Sequence, residues 1–289
     1  MQKDLSYWFQ KATKEHWALA QFNFSCAEQL KGIVQAAVAL RSPLLLGTSE
    51  GDSNFFGLAQ AVAMVGAWRR TTGLPIFLNF DHGKSFETVA AAIEAGYDAV
   101  HFDGSHFPLE ENIAITKKVV ALAKKNKISV VEGEFGEIPG KHSDIHLNEE
   151  VTLDPSVYTD PEEAHAFVEQ TKVSSLAIII GNVHGVYAKV PRLDLMRLQK
   201  IQKRVESFLV LHGGSGTPEE DMKGAIRLGV VKINISTDLR AAFVQGLRDV
   251  LSEHPEEVTP SKLLGPSVEL VQKAAEKNIL LFGSAGKIC

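Results

Sequence analysis

The sequence predicts an α/β fold, a (β/α)8 TIM barrel that forms a single domain over residues 1–289 with extra terminal helices. Two observations favour this fold. Short apolar runs of the kind that are buried on both faces of a parallel sheet alternate with helical patterns about eight times. The length of 289 residues is also ordinary for one such barrel. A doubly wound parallel sheet is the alternative for the same alternation.

The predicted strands are apolar runs bounded by polar or turn-forming residues. They cover 17–24, 43–48, 75–80, 98–103, 128–134, 176–180, 208–211 and 229–235. The predicted helices carry the usual end signals, since Pro43 stops one, Gly96 follows another, and Asp160 with Pro161 opens a third. The helices cover 4–14, 27–40, 55–70, 86–95, 110–126, 160–171, 194–205, 217–228, 238–251 and 260–280.

Residues 135–159 interrupt the alternation, because they are polar and follow neither a helical nor a strand period. A long connection without its own periodicity inside a compact domain is usually a functional lid or a mobile segment. We therefore expect a loop over 135–159.

Composition restricts the classes of partner. A net charge of −5 offers no basic surface for nucleic acid or anionic lipid. The only cysteines, Cys26 and Cys289, are too few for a disulfide framework, which fits a reducing compartment. The N-terminal segment is charged and lacks the apolar core of a signal peptide, and no apolar run is long enough to cross a bilayer. We expect a cytoplasmic protein that binds a small molecule.

Three histidines follow apolar runs, and each is followed by glycine: His82, His184 and His212. The C-terminal ends of all strands in such a barrel meet at one face, so the three imidazoles are expected to converge. Three protein ligands with one open position are typical of catalytic zinc. A lone histidine of this kind is more often structural, but three in equivalent positions favour a metal. The remaining histidines are assigned to structure or surface: 16, 101, 106, 142, 146, 165 and 254.

Carboxylates accompany these histidines. Asp81 precedes His82 and can transfer a proton to or from a substrate oxygen, with helix capping or support of a ligand histidine as the alternative. Glu132 and Glu134 share one face of their strand, and Asp103 ends the neighbouring one. We interpret Asp103 with Glu134 as a second or alternative cation position, while a buried salt-bridge network remains equally compatible.

Polar loops follow the seventh and eighth predicted strands, where barrels often bind phosphate through backbone N–H groups and a helix N-terminus. Glycines let the backbone approach the ligand, and hydroxyl groups donate to it. Plain turns are the alternative. The candidates are Gly213, Gly214, Ser215, Ser236 and Thr237, with Lys189 as an added positive charge.

Over nearly its whole length the sequence resembles the class II, zinc-dependent ketose-bisphosphate aldolases. The stretches that carry the resemblance are Asp81–Gly83, Asp103–Ile113, Val131–Glu134, Gly181–Gly185, Leu209–Ser215, Lys232–Asp238 and Phe282–Lys287. The resemblance implies zinc on His82, His184 and His212, with Asp81 as the proton-transfer residue. It also implies that Asp103 and Glu134 line the position that zinc can occupy when it withdraws.

The same resemblance implies contacts with the substrate. Those to dihydroxyacetone phosphate are Gly185, Gly213, Ser215, Asn234, Ser236 and Thr237, and those on the aldehyde side are Asn23 and Ser49. The implied reaction is the reversible cleavage of fructose 1,6-bisphosphate into dihydroxyacetone phosphate and glyceraldehyde 3-phosphate. It belongs to glycolysis and carbohydrate metabolism, and a homodimer or homotetramer is expected to perform it. A requirement for Na⁺ or K⁺ is left open.

Two departures from the family pattern affect the chemistry. Members commonly carry a glutamate on the loop after the fifth strand, and that position is His142 here, with Glu137, Glu149 and Glu150 as nearby substitutes. Fructose-specific members tend to have Asp, and tagatose-type members Ala, where this chain has Ser236. Tagatose 1,6-bisphosphate or another phosphorylated ketose is therefore an alternative substrate.

Three other functions compete with the zinc aldolase. A Schiff-base aldolase needs a desolvated lysine at the barrel face, for which Lys232 is the candidate. A metal-dependent hydrolase and a non-catalytic sugar-phosphate binder are the remaining alternatives.

Overall fold

In the computed structural model, residues 3–288 are described, with the side chains of all of these except 141–144 and 147. Eight parallel strands within this range close into a barrel, in the order β1-β10-β9-β7-β5-β4-β3-β2. The prediction of a (β/α)8 barrel is confirmed. The barrel strands are β1 (Leu19–Asn23), β2 (Leu44–Ser49), β3 (Ile76–Gly83), β4 (Ala99–Asp103), β5 (Val130–Glu134), β7 (Ser175–Ile178), β9 (Phe208–Leu211) and β10 (Val230–Ile235), while β6 (Gly140–Glu150) and β8 (His184–Lys189) form a separate two-stranded sheet.

The helices surround the barrel and close one end of it. They are α1 (Leu5–Glu15), α2 (Ala27–Ala39), α3 (Glu50–Phe56), α4 (Leu58–Thr72), α5 (Phe86–Ala95), α6 (Leu109–Lys125), α7 (Pro161–Thr171), α8 (Leu195–Arg204), α9 (Glu219–Arg227), α10 (Thr237–Glu253) and α11 (Pro260–Leu281). Among the described residues, no helix is both long enough and apolar enough to span a membrane.

Helix α1 closes the N-terminal end of the barrel. Its Trp8 and Phe9 are buried in one cluster with Leu19, Phe77 and Val231, which lie at or near the starts of three strands. These residues shield the lower part of the barrel from water, which is favourable in proportion to the apolar area removed from solvent. The opposite end, where the strands finish, is therefore the end available for ligands.

The register of the strands brings polar residues together at that C-terminal end. Ser49 at the end of β2 pairs with Asp81 of β3, and Asp103 at the end of β4 pairs with Glu134 of β5. Asn23 ends β1 beside Gly47. Because these pairs are neighbours around a closed sheet, the polar side chains form one continuous rim.

Two predicted elements differ in the structure. The helix expected over 55–70 is two helices, α3 and α4, because Gly57 between them has a φ of +93°, a conformation that glycine adopts without steric cost. The loop expected over 135–159 contains β6, which pairs in parallel with β8. This pairing was missed because β6 lacks alternating apolar residues, and Ile145 within it is half exposed.

The position of His184 also differs from the prediction. The expected strand over 176–180 ends earlier, at Ile178, and His184 begins β8 after a turn. Asn182 holds that turn, because its amide donates to the carbonyl of Ile178 at 3.0 Å and its oxygen accepts from the N–H of Ile180 at 2.8 Å. His184 therefore reaches the rim from the separate sheet.

Candidate active site at the C-terminal rim

Three imidazoles converge at the open end of the barrel. The ring centroid of His82 lies 4.6 Å from that of His212 and 5.1 Å from that of His184. The rings of His184 and His212 are 5.9 Å apart. The structure thus brings together the three histidines that the sequence singles out, although they arrive on β3, on the start of β8 and just after β9.

A bulge in β3 lets Asp81 and His82 both face the site. The pairing with β4 shifts by one residue between Phe80 and Gly83, and His82 has a φ of +51°. Neighbours on a regular strand point to opposite faces, and a bulge re-aims one of them. Such a left-handed conformation costs a residue other than glycine about 1–2 kcal/mol, so surrounding contacts must stabilise it.

His212 is held from behind by two buried charged residues. Its Nε2 lies 2.6 Å from Oε1 of Glu132, whose Oε2 accepts from Nζ of Lys232 at 2.5 Å. Burial raises the pKa of Glu132, but Lys232, His101 and His212 lower it below its usual value, so this carboxylate is ionised. A carboxylate that accepts from one ring nitrogen fixes the tautomer and leaves the other nitrogen as a potential metal ligand.

The ring nitrogens of His82 and His212 fit a shared cation. Nε2 of His82 and Nδ1 of His212 face each other at 2.9 Å, while Nδ1 of His82 lies 3.1 Å from Oδ2 of Asp103. With an N–H directed at each carboxylate, the two facing nitrogens carry lone pairs. Lone pairs at this distance repel each other unless a cation, either a proton or a metal ion, accompanies them.

The carboxylates around His82 make the site attractive to positive charge. Burial lowers the pKa of His82, but Asp81, Asp103 and Glu134 raise it above its usual value. Two groups of residues could each hold a metal ion, because within each group the potential ligand atoms all lie within 4.8 Å of one another. One group is Asp81, His82, His101 and His212, and the other is His82, Asp103 and Glu134. The His/Asp cluster can therefore hold a metal ion.

Asp81 is positioned as an ionised carboxylate at the edge of the cluster. The side-chain amides of Asn23 and Asn234 donate to its two oxygens at 2.8 and 3.0 Å. Burial raises the pKa of Asp81, but His82, His101 and His212 lower it well below its usual value. An ionised carboxylate held by two amides can accept a proton from a substrate hydroxyl group.

A cavity of about 800 Å³ opens above these groups. Its lining includes most of the residues predicted to contact substrate: Asn23, Ser49, Gly185, Gly213, Ser215, Asn234, Ser236 and Thr237. Charged residues that the sequence analysis did not select also line it: Glu50, Asp52, Lys84 and Arg240. Arg240 donates to Asp52 at 3.1 Å.

The loops beyond β9 and β10 offer a concave polar surface on one side of the cavity. A side chain at Gly213, whose φ is +65°, would place its Cβ 2.0 Å from the carbonyl oxygen of Val183, so only glycine allows this close approach. The hydroxyl of Ser236 and Oδ1 of Asn234 are buried without a hydrogen-bond partner among the described residues. Buried polar atoms of this kind are usually satisfied by a ligand or water.

Comparisons with known proteins agree with this geometry. The sequence model of the family described as "Fructose-bisphosphate aldolase class-II" matches residues 3–287. A Bacillus subtilis (strain 168) protein named "Probable fructose-bisphosphate aldolase" is 38% identical over 279 residues, which cover 96% of this chain and 95% of that protein. This chain belongs to the class II fructose-bisphosphate aldolase family. Members of the family are carbon–carbon lyases that act on phosphorylated sugars, so the hydrolase and the non-catalytic binder are not supported.

Solved structures of aldolases share the fold of this family member. The crystal structure of the YdjI aldolase from Escherichia coli K12 superposes with a TM-score of 0.83 at 32% identity, and the match covers 100% of both chains. The fructose-bisphosphate aldolase from Campylobacter jejuni gives a TM-score of 0.82 at 23% identity, with coverage of 98% of this chain and 95% of that one. The second likeness shows the fold alone.

Two residues predicted to contact substrate lie outside the cavity lining of this aldolase. The side chain of Lys189 is 73% exposed, and its Nζ lies 3.6 Å from Oε2 of Glu150. It lies at the far end of β8, because five strand residues beyond His184 span roughly 16 Å. Gly214 packs beneath the loop, where an added Cβ would lie 2.5 Å from Cγ2 of Ile233.

Three of the four candidates for the loop acid are not brought to the cavity either. Glu137, Glu149 and Glu150 are exposed and do not line it, and Glu149 lies 3.1 Å from Nδ1 of His146. The side chain of His142 lies outside those that the structure describes.

One central residue was missed by sequence reasoning. His101, which was assigned to structure or surface, is completely buried, and its ring centroid lies 4.7 Å from that of His82 and 4.9 Å from that of His212. Burial lowers the pKa of His101, but Glu132, Asp81 and Glu134 raise it to about 10. The sequence did contain a signal for its position. His101 and Asp103 are residues i and i+2 of one strand, so they share one face, and Asp103 was already predicted to lie at the site.

Proposed function

We propose that this family member is a zinc-dependent ketose-bisphosphate aldolase that reversibly cleaves fructose 1,6-bisphosphate. The products are dihydroxyacetone phosphate and glyceraldehyde 3-phosphate. The observation that carries the proposal is the arrangement of three converging imidazoles beside Asp81, within one cavity that also has glycine- and hydroxyl-rich loops.

Zinc is the metal that the donor set favours. His82, His184 and His212 supply imidazole nitrogens, and three such ligands with an open position match catalytic zinc. The bound cation supplies Lewis-acid polarisation of the ketone carbonyl, which is worth several kcal/mol of transition-state stabilisation. Asp103 and Glu134 face the other nitrogen of His82 at 3.1 and 3.7 Å, and we propose that they line an alternative position for the same ion.

Asp81 is proposed to perform the proton transfer. Its carboxylate accepts the proton of the C4 hydroxyl, the C4 carbonyl forms, and the C3–C4 bond breaks. The electron pair of that bond stays on C3 of the dihydroxyacetone phosphate half, which then takes a proton from an acid. The amides of Asn23 and Asn234 orient Asp81 without neutralising it. General base catalysis of this kind contributes about 10²–10⁴-fold to the rate.

The phosphate on the dihydroxyacetone side is proposed to bind at the loops after β9 and β10. Gly213 and Gly185 let the backbone approach the ligand closely, and Ser215, Ser236 and Thr237 line the same part of the cavity. Thr237 also begins α10, and the N-terminus of a helix favours anions.

A Schiff-base mechanism through Lys232 receives no support from the geometry. Its Nζ is bound to Glu132 at 2.5 Å, the residue is 1% exposed, and it does not line the cavity. A lysine that forms an imine must be reachable by the substrate carbonyl. Borohydride trapping of an enzyme–substrate adduct would contradict this assignment.

Tagatose 1,6-bisphosphate is the second candidate substrate, because Ser236 matches neither the Asp that the resemblance implies for fructose-specific members nor the Ala of tagatose-type members. The buried hydroxyl of Ser236 lines the cavity and has no hydrogen-bond partner among the residues that the structure describes. This position carries no carboxylate in this chain, and cleavage assays with both ketoses decide which C4 configuration the enzyme accepts.

Side-by-side cleavage assays test the proposal. The zinc-loaded protein is given fructose and tagatose 1,6-bisphosphate, and release of both three-carbon products is followed. Asp81→Asn is expected to lower kcat by about 10²–10⁴-fold while metal content stays unchanged. Cleavage of neither ketose by the wild type, or full activity of the Asp81→Asn variant, would overturn the proposal. The homodimer or homotetramer and the cytoplasmic location stay predictions, for which light scattering and cell fractionation are the measurements.

A further inference from the structure

The mechanism proposed above does not use His101, the completely buried imidazole of β4. Its ring lies beside the histidines at the rim, 4.7 Å from His82 and 4.9 Å from His212 between centroids. A histidine in this position, surrounded by Asp81, Glu132 and Glu134 at 3.1 to 3.8 Å, is an unusual choice for the interior of a barrel, which apolar residues generally fill.

The role of His101 follows from the bulge in β3. At a bulge the extra residue leaves the ladder, and its backbone N–H needs another acceptor. The bulge falls between Phe80 and Gly83, and the N–H of His82 donates to Nδ1 of His101 at 3.2 Å. The side chain of His101 thus takes the place of a strand carbonyl for the residue that has the left-handed backbone.

This hydrogen bond defines the tautomer of His101. Because Nδ1 accepts, it carries the lone pair, and the proton of the neutral ring is on Nε2. Nε2 lies 3.1 Å from Oε2 of Glu134, although the angle is not that of a hydrogen bond. The three carboxylates favour a second proton on this ring, but that proton would sit on Nδ1 and point at the His82 N–H. The hydrogen bond of 3.2 Å between these atoms therefore identifies the neutral ring.

We propose that His101 is a positioning residue of this aldolase, because its Nδ1 holds the bulged backbone that aims both Asp81 and His82 into the cavity. The consequence for catalysis is indirect. His101 is absent from the cavity lining and acts through the two residues that precede Gly83. The inference rests on the proposed function for Asp81 and His82, and adds a residue that the resemblance does not assign.

Three substitutions distinguish the role of Nδ1 of His101 from that of Nε2. His101→Asn keeps an amide oxygen near the position of Nδ1, where it can accept from the His82 N–H. His101→Gln places its amide nearer the position of Nε2 and removes the acceptor that the bulge needs. His101→Met fills a similar volume with no strong acceptor, and it is the matched control for packing.

We expect His101→Gln and His101→Met to lower kcat by about 10–100-fold, as loss of a group that supports a metal ligand does. His101→Asn should lose about threefold or less, because the acceptor is retained. Zinc affinity, measured by competition with a chelator, should fall in the Gln and Met variants and stay nearly unchanged in the Asn variant. The visible spectrum of the Co²⁺-loaded protein should change in the same variants. A purely structural role would not distinguish Asn from Gln in these measurements.

Two results would overturn the proposal. One is an Asn variant as impaired as the Met variant, and the other is a Gln variant that outperforms Asn, which would assign the role to the Nε2 side and Glu134. Circular dichroism and thermal unfolding monitor folding, and if His101→Met does not fold, the comparison of Asn with Gln still decides. Failure of the wild type to cleave either ketose would overturn the proposed function alone, since metal affinity and the Co²⁺ spectrum do not depend on the substrate.

Discussion

The cavity has two walls that are held in different ways. The barrel wall, defined by His82, His212 and Glu132, consists of buried or largely buried side chains at the rim of the closed sheet. The sheet wall, defined by β6 and β8, presents His184 at the start of a two-stranded sheet outside the barrel. Both walls contribute imidazoles that line the same cavity, and the barrel wall has a chain of charged groups behind His212.

The contacts behind each histidine explain the difference. His212 is held through Glu132 and Lys232 by charge-assisted hydrogen bonds of 2.6 and 2.5 Å. For His184, the backbone N–H donates to the carbonyl of Pro139 at 2.8 Å, and Gly140 packs so closely that an added Cβ would lie 2.2 Å from its carbonyl oxygen. Damage to the barrel wall should therefore lower stability as well as metal affinity, whereas damage to the sheet wall should act through the position of His184.

Removal of the proposed metal should have the largest effect, because imidazoles of both walls are proposed to bind it. After dialysis against a chelator we expect the cleavage rate to fall by about 10⁴-fold, which corresponds to about 5 kcal/mol of lost transition-state stabilisation. Readdition of Zn²⁺ or Co²⁺ should restore the rate. A rate that is unchanged in a protein shown to be metal-free would contradict the metal site.

Substitution Glu132→Gln tests the barrel wall. The amide no longer enforces the tautomer of His212, so zinc affinity should fall by about 10–100-fold. Lys232 also loses its ionised partner in the interior, so the free energy of unfolding should fall by about 3–5 kcal/mol. Chelator competition and denaturant unfolding measure the two effects.

The double variant Glu132→Gln, Lys232→Met is the matched control for that test. It removes the buried charge that Glu132→Gln leaves unpaired, so the free energy of unfolding should recover while zinc affinity stays low. Recovery of both quantities together would show that the loss of affinity came from instability and not from the orientation of His212.

Substitution Gly140→Ala tests the sheet wall. The new Cβ forces the backbone at His184 to move by about 1 Å, and a displacement of that size can cost about 10²-fold in rate. Gly73→Ala is the control, since Gly73 also has a positive φ, of +69°, but an added Cβ there meets nothing within 4 Å. A similar loss of activity in both variants would mean that backbone strain, and not the clash at His184, is responsible.

Substitution Lys189→Ala should have the smallest effect. The exposed ion pair with Glu150 contributes roughly 0–1 kcal/mol, and the residue lies outside the cavity. We expect the KM for either ketose bisphosphate to stay within about twofold of the wild type. A KM raised tenfold or more would place Lys189 at the substrate and would show that the sheet wall approaches it during catalysis.

Much of the fold could be predicted because its signals are local. The apolar runs that form β3 and β9 can be recognised in the sequence. A residue at the C-terminal end of a barrel strand lies at the C-terminal rim, independently of the rest of the sequence. His82 and His212 were found in this way. The sheet wall could not be predicted, since the sequence of β6 is mostly polar and its partner β8 is distant in the chain. Because β8 was not predicted, Lys189 was expected at the cavity, whereas it lies exposed at the far end of β8.

The sequence by itself determined the strand and helix alternation, the histidines that end the strands, and the glycines beside them, because hydrophobic periodicity and turn chemistry act over a few residues. Only the tertiary structure decided which carboxylate faces which imidazole nitrogen. The contact of Glu132 with the ring of His212, and that of the His101 ring with the backbone N–H of His82, depend on the register between strands and on ring orientation. Both quantities arise when the barrel closes, and no single stretch of the chain encodes them.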